Sequence, residues 1–105
     1  MSYTGGPMTE AMYYVLLALM NPSHGYKLMS EIHTVSQGRL SMGPGTLYGV
    51  LARMQKDKLI TMVEEAGRRK IYRITRDGME AFRFEYRRLR HMVLDGEDFG
   101  GDRDD

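Results

Sequence analysis

The side chains that could do chemistry here are few, and most reactions are closed to them. The sequence holds no cysteine, which removes thiolate nucleophiles, disulfides and cysteine-based zinc sites. His24, His33 and His91 stand without a second ligand at metal-binding spacing. No histidine–carboxylate grouping or phosphate-cradling glycine loop accompanies them, so the sequence is read as a non-enzyme needing no cofactor or metal. What remains is cationic and hydroxylic: the adjacent Arg68, Arg69 and Lys70, and a stretch from Ser41 to Lys56 whose polar groups surround a bare surface. That combination suits the recognition of a polyanion better than bond-making.

The Ser41–Lys56 stretch predicts a helix from about Pro44 to Lys56. Proline's fixed φ suits the first turn, where its missing N–H costs nothing. At 100° per residue, Leu47, Val50, Leu51 and Met54 gather on one side. The other side carries Gly45, Gly49, Ala52 and Lys56, bordered by Thr46, Tyr48 and Arg53. An interior helical glycine costs about 1 kcal/mol relative to alanine, so a flat outer face must serve something. Two uses stand open on the helix alone. One is close approach to a DNA groove, with Thr46, Tyr48, Gly49 and Arg53 at the contact; the other is tight packing against a neighbouring helix.

The flanking elements favour the first. Thr9 is placed to cap a helix running to about Met20, apolar nearly all round and so covered on more than one side. After Asn21-Pro22, Ser23 is placed to cap a second helix, with Tyr26, Leu28, Met29, Ile32 and Val35 inward and Lys27, Ser30 and Glu31 outward. Gln37-Gly38 ends it. A helix, a turn and a second, presented helix form the arrangement whose second helix enters a major groove. Ile60–Glu65 and Lys70–Ile74, on either side of a glycine turn, predict a β-hairpin with Arg68, Arg69 and Lys70 at its tip. A cationic hairpin directly after such a helix is a wing, set to meet backbone phosphates.

Thr75 is placed to cap a last helix over Arg76 to about Leu94, on which Met79, Phe82, Tyr86, Leu89 and Val93 recur at alternating steps of three and four. That is a coiled-coil type of seam. At 1.5 Å per residue the helix is about 28 Å long, more than a small core needs, so it is expected to pair with a second chain. Met12 and Leu16 of the first helix are expected at the same contact. The fold expected is therefore mainly α with a small β-hairpin (α+β), a winged helix-turn-helix followed by a long dimerisation helix. Its parts are a flexible arm (1–8), the winged domain (9–75), the pairing helix (76–94) and a disordered acidic tail (95–105).

With 105 residues and a net charge of +1, the chain is one domain of modest core. The charge is unevenly spread. Residues 95–105 hold six acids against one base, a balance of −5, which leaves residues 1–94 at +6 from fourteen bases and eight acids. A basic body suits a polyanion partner. The tail could mimic that polyanion or simply solubilise the chain. The longest apolar run, Ala11–Met20, is too short for the roughly 20 residues a membrane span needs and lacks the basic flank of a signal peptide. The expectation is a cytoplasmic protein with no membrane partner.

The run Thr9–Leu19, then His24-Gly25-Tyr26, then Gly43-Pro-Gly-Thr-Leu-Tyr-Gly49 resembles the PadR family of bacterial transcriptional regulators. Lys70–Thr75 followed by Asp77-Gly78 looks like that family's strand and helix start, and the likeness extends over about residues 8–94. The short ending resembles its compact subfamily, whose members dimerise through the last and first helices; the Gly/Asp-rich tail departs from the pattern. The resemblance implies a homodimeric repressor on double-stranded DNA, released by a small aromatic or cationic effector. Its recognition residues carry over to Tyr26, Thr46, Tyr48, Arg68, Arg69 and Lys70. An effector cavity at the dimer interface would draw on Met8, Met12, Phe82, Tyr86 and Met92. The alternative function is a winged-helix module that binds proteins and not DNA.

Overall fold

The structure, a computed structural model, describes residues 6–66 and 69–101, with the side chains of 64–66 and 69 excepted. The elements run α1 (Glu10–Ala18), β1 (Ser23–His24), α2 (Gly25–Val35), α3 (Pro44–Lys56), β2 (Ile60–Ala66), β3 (Arg69–Ile74), α4 (Arg76–Asp95) and α5 (Glu97–Gly100). This is the helix-rich winged helix-turn-helix that the sequence predicts. The three strands form one antiparallel sheet in the order β1-β3-β2.

Helices α1, α2 and α4 each start at a side-chain cap. The Thr9 hydroxyl accepts the Met12 N–H at 3.1 Å and the Thr75 hydroxyl accepts that of Gly78 at 3.0 Å, both as expected. The start of α2 differs from the expectation. His24, not Ser23, is the cap, its Nδ1 accepting the Lys27 N–H at 3.3 Å. Ser23 pairs instead with Tyr72 across the sheet and donates to Glu31 at 3.1 Å. Glu31, expected outward, is half-buried by that bond.

Helix ends are as specific as the starts. At the end of α2, Gln37 and Gly38 take left-handed φ values of 55° and 80°, and their N–H groups return to the carbonyls of Thr34 and His33. At the end of α3 the same wrap is made by Lys58 (φ 64°) and Leu59, whose N–H groups reach Gln55 and Met54. This closes the last carbonyls of each helix and turns the chain sharply. Ser36, fully buried between α2 and α3, accepts the Leu40 N–H at 3.0 Å and so holds the intervening turn.

The core lies among α1, α2, α3 and the base of the sheet. Val15, Leu16, Leu19, Leu28, Ile32, Leu47, Leu51, Met54 and Leu59 are wholly or almost wholly buried, each worth roughly 1.5–3 kcal/mol of burial. Met8, which the sequence reading ends a flexible arm with, joins this core. Beyond the core α4 runs on alone. The radius of gyration is 15.3 Å and the extents are 56 × 32 × 21 Å, against about 13 Å for a compact chain of this length. Every residue from Arg90 to Gly101 is exposed. Of the acidic stretch 95–105 for which the sequence predicts disorder, Asp95 ends α4 and Glu97–Gly100 form the single turn of α5, while residues 102–105 lie outside the described residues.

Candidate nucleic-acid interface

Helix α3 buries Leu47, Leu51 and Met54 and half-buries Val50. That single apolar stripe orients it, and Gly45, Gly49, Ala52 and Lys56 are left facing outward and exposed. A methyl group built on Gly45 or Gly49 would meet no atom within 4 Å. The flatness is therefore not explained by packing inside the subunit. Thr46 and Arg53 are exposed along one margin, and Tyr48 is half-exposed along the other.

The N-terminus of α3 differs from those of α1, α2 and α4. Its cap is Gly43, which offers no side-chain hydrogen bond, and Pro44 follows. The first-turn amides and the positive end of the helix dipole lie beside the exposed Ser41 and Thr46, an arrangement that attracts phosphate oxygens. At the other end, the Arg53 Nε donates to Asp57 at 3.2 Å. An exposed pair of this kind holds by about 0.2–1 kcal/mol, so the guanidinium is free to exchange Asp57 for a phosphate.

Tyr26 reverses part of its expectation. Its position in the helical pattern put it inward, yet it is 77% exposed at the start of α2, because Leu28 and Ile32 already fill the inward stripe. That exposure agrees with a contact role. Val35, also expected inward, is exposed at the end of the same helix. The Tyr48 hydroxyl end lies over Gly25, where a methyl group would stand 2.5 Å from it. Tyr72, buried on β3, has its phenol pushed up by burial and then by the neighbouring Tyr48. Tyr48 and Tyr72 thus belong to one corner, where α2, α3 and the sheet meet.

The wing is β2 and β3, paired from Ile60↔Ile74 to Ala66↔Arg69. A bulge between Met62 and Glu64 leaves both Met62 and Val63 exposed. Lys70 is exposed on β3. Arg69 opens that strand, and Arg68 lies outside the described residues.

The expected pairing seam divides in two. Met79, Phe82 and Leu89 are half-buried, whereas Tyr86 and Val93 are open. Phe82 stacks on Tyr13 at 4.9 Å between ring centres, and Tyr86 continues the stack at 6.4 Å. Burial, and then the neighbouring Tyr86, push the Tyr13 phenol up. The expectation that Met12 and Leu16 face a second subunit gives way: both are enclosed by their own subunit's core. Of the residues expected to line an effector cavity, Met8 and Met12 are buried there too, while Phe82, Tyr86 and Met92 lie along α4.

Sequence reasoning missed Glu85. It is 5% exposed on the face that α4 buries with Gly78 and Ala81, and Arg88 holds it through a hydrogen bond of 2.9 Å. That bond and the Arg88 charge, with a bond from the Met8 N–H, keep its carboxyl below the ordinary 4.5 against the opposing effect of burial. The Gly78, Ala81, Glu85 spacing of three and four was the available signal. Among the described residues no group of three or more potential metal ligands comes together, and no helix is long and apolar enough to cross a membrane.

Comparison with known proteins agrees with this geometry. The profile of the transcriptional regulator PadR-like family matches residues 15–84. An uncharacterized 37.1 kDa protein in transposon Tn4556 of Streptomyces fradiae is 43% identical over 72 residues, which are 68% of this chain and 20% of that protein. The transcriptional regulator YqjI of Escherichia coli is 38% identical over 58 residues, 55% of this chain and 28% of that protein. The chain thus spans less than a third of either relative's length. A PadR family transcription regulator from Clostridium difficile R20291 superposes with a TM-score of 0.74 at 20% identity, over 89% of this chain and all of that one.

Proposed function

The chain belongs to the PadR-like family of transcriptional regulators, and we propose that it acts as a homodimeric repressor on a palindromic operator. The observation that carries this reading is the outward face of α3, where two glycines stand with open space above them and basic and hydroxyl groups border them. A surface of that shape lets a helix settle deep in a major groove. Amides at the start of α3, with Arg53, Lys56 and the wing cations, supply the phosphate contacts that set affinity and register. Few long side chains reach base edges, so much of the discrimination comes from duplex shape.

Dimerisation is supported by α4, on which Tyr86 and Val93 are exposed beside the half-buried Phe82 and Leu89, all on one side of a helix that leaves its own core behind. An apolar stripe of heptad spacing left open in this way suits pairing with a second helix. Two-fold symmetry then calls for half-sites about 10 base pairs apart, or a multiple of that. A planar aromatic or cationic effector entering between paired α4 helices would stack on Tyr86 and Phe82 and alter the spacing of the two α3 helices. Such a regulator works in the cytoplasm.

Mobility shift on the DNA upstream of its own gene, repeated at several salt concentrations, tests the reading. A retarded complex containing two chains per duplex, with affinity falling steeply as salt rises, is the expected result. Absence of any complex at low salt would instead favour a winged helix that binds protein.

A further inference from the structure

Gly25 is buried at the first position of α2, in a part of the fold where nothing in its backbone demands glycine. What occupies the place of its side chain is the far end of Tyr48. A methyl group on Gly25 would lie 2.5 Å from the Tyr48 hydroxyl oxygen, 2.7 Å from Cζ and 2.8 Å from Cε1, closer than carbon approaches any of them. No other side chain or backbone atom stands so near. The missing side chain of α2 is thus a seat for the far end of a ring from α3.

The seat has a second wall. Gly25 follows directly on β1, whose Ser23 pairs with Tyr72, and the Tyr72 phenol is pushed up by burial and then by the neighbouring Tyr48. On α3, Tyr48 sits about 60° round the axis from Gly45 and about 100° from Gly49 by the 100° step. A ring laid back on α2 leaves the glycine face clear. A ring turned away from α2 would stand beside Gly45 and Gly49 and hold the helix off a flat partner.

We propose that Gly25 is a positioning residue for DNA recognition, which acts by seating the Tyr48 ring against α2 so that the glycine face of α3 stays open to the duplex. This rests on the DNA-binding reading given above. It extends that reading to a residue that touches no nucleic acid and makes the first turn of α2 a determinant of how α3 docks.

A double-mutant cycle in the full chain tests it, with Gly25→Ala, Tyr48→Ala and both together. Each is titrated by fluorescence anisotropy against a labelled 30-base-pair duplex from upstream of its own gene and against a shuffled duplex at low salt. Gly25→Ala should weaken binding by about tenfold, and the double variant should bind no worse than Tyr48→Ala alone, as expected of residues that act through one contact. Equal losses from Gly25→Ala with and without Tyr48 would overturn the proposal, as would unchanged affinity in Gly25→Ala. If Gly25→Ala does not fold, the double variant must recover folding; failure to do so also overturns it.

Ring-13C tyrosine spectra supply a readout that general destabilisation does not move. The Tyr48 resonance, assigned with Tyr48→Phe, should shift in Gly25→Ala while the resonances of Tyr13 and Tyr14 stay. An unmoved Tyr48 resonance would refute the seating even if affinity fell. Failure of the wild-type chain to bind either duplex would refute the DNA-binding reading, and the proposal with it, while the spectra would still report whether the seat exists.

Discussion

Replacing Gly49 with alanine sets stability and function against each other. Gly49 lies in the middle of α3, is exposed, and has nothing within 4 Å of the position a methyl would occupy. For the isolated protein only helix propensity is at stake, and that favours alanine by about 1 kcal/mol. Thermal unfolding should therefore move up, by about 4–8 °C on the scale of a domain this size. For the complex the same methyl adds about 1.5 Å of height, one carbon–carbon bond, in the middle of the face proposed to meet the groove. Lifting or tilting the helix by that amount costs contacts along its length, and a tenfold loss of affinity, about 1.4 kcal/mol, is expected. No charge is removed, so the slope of log affinity against log salt should stay as in the wild type.

Opposite signs are what make the experiment decisive. Scanning calorimetry and anisotropy titration on the same preparation should show a variant that melts higher and binds worse. A variant that melts higher and binds equally well would mean that α3 does not approach DNA closely at Gly49. Lower melting would mean that the glycine serves a contact between subunits, and the flat face would then belong to assembly.

Four further outcomes are expected. Gly78→Ala should destabilise by about 1–3 kcal/mol, an overpacking cost, because its methyl would run into the Leu59 carbonyl and crowd Ile74; an unchanged denaturant midpoint would contradict that. Lys58→Gly should stabilise by about 1 kcal/mol, since Lys58 holds a left-handed φ of 64° that costs a side-chain-bearing residue; chemical denaturation reads it. The Glu85 carboxyl is held below its ordinary 4.5, chiefly by its hydrogen bond with Arg88. Its contribution is then complete above pH 4.5 and lost as pH falls through the lower folded value, so the wild-type melting temperature should drop over that acid interval more than that of Glu85→Gln. Arg69→Ala should weaken binding to all duplexes alike and reduce the salt slope by about one; an unchanged slope would take the start of β3 away from phosphate.

What the sequence makes legible here divides by the range of the interaction. Thr9, Thr75, Gly43-Pro44 and Gln37-Gly38 act within three or four residues, and each predicted boundary they govern agrees with the structure to within about two residues. The outward face of α3 was readable for a related reason, since Leu47, Leu51 and Met54 fix its rotation by themselves. β1 was not, because two residues have no periodicity and Ser23-His24 becomes a strand only by lying beside Tyr72 and Ile71. Glu85 was not legible either, because a carboxylate's burial depends on Arg88 and the Met8 N–H being there to satisfy it. Gly25 shows the limit most sharply. Its sequence neighbours make it a helix-start residue that alanine could replace; only the arrival of Tyr48, twenty-three positions later in the chain, puts a ring where its side chain would stand. Residues of this kind carry the coupling between elements, so the relative placement of α2, α3 and the wing rests on contacts that no local pattern encodes, whereas each element by itself is written in its own few residues.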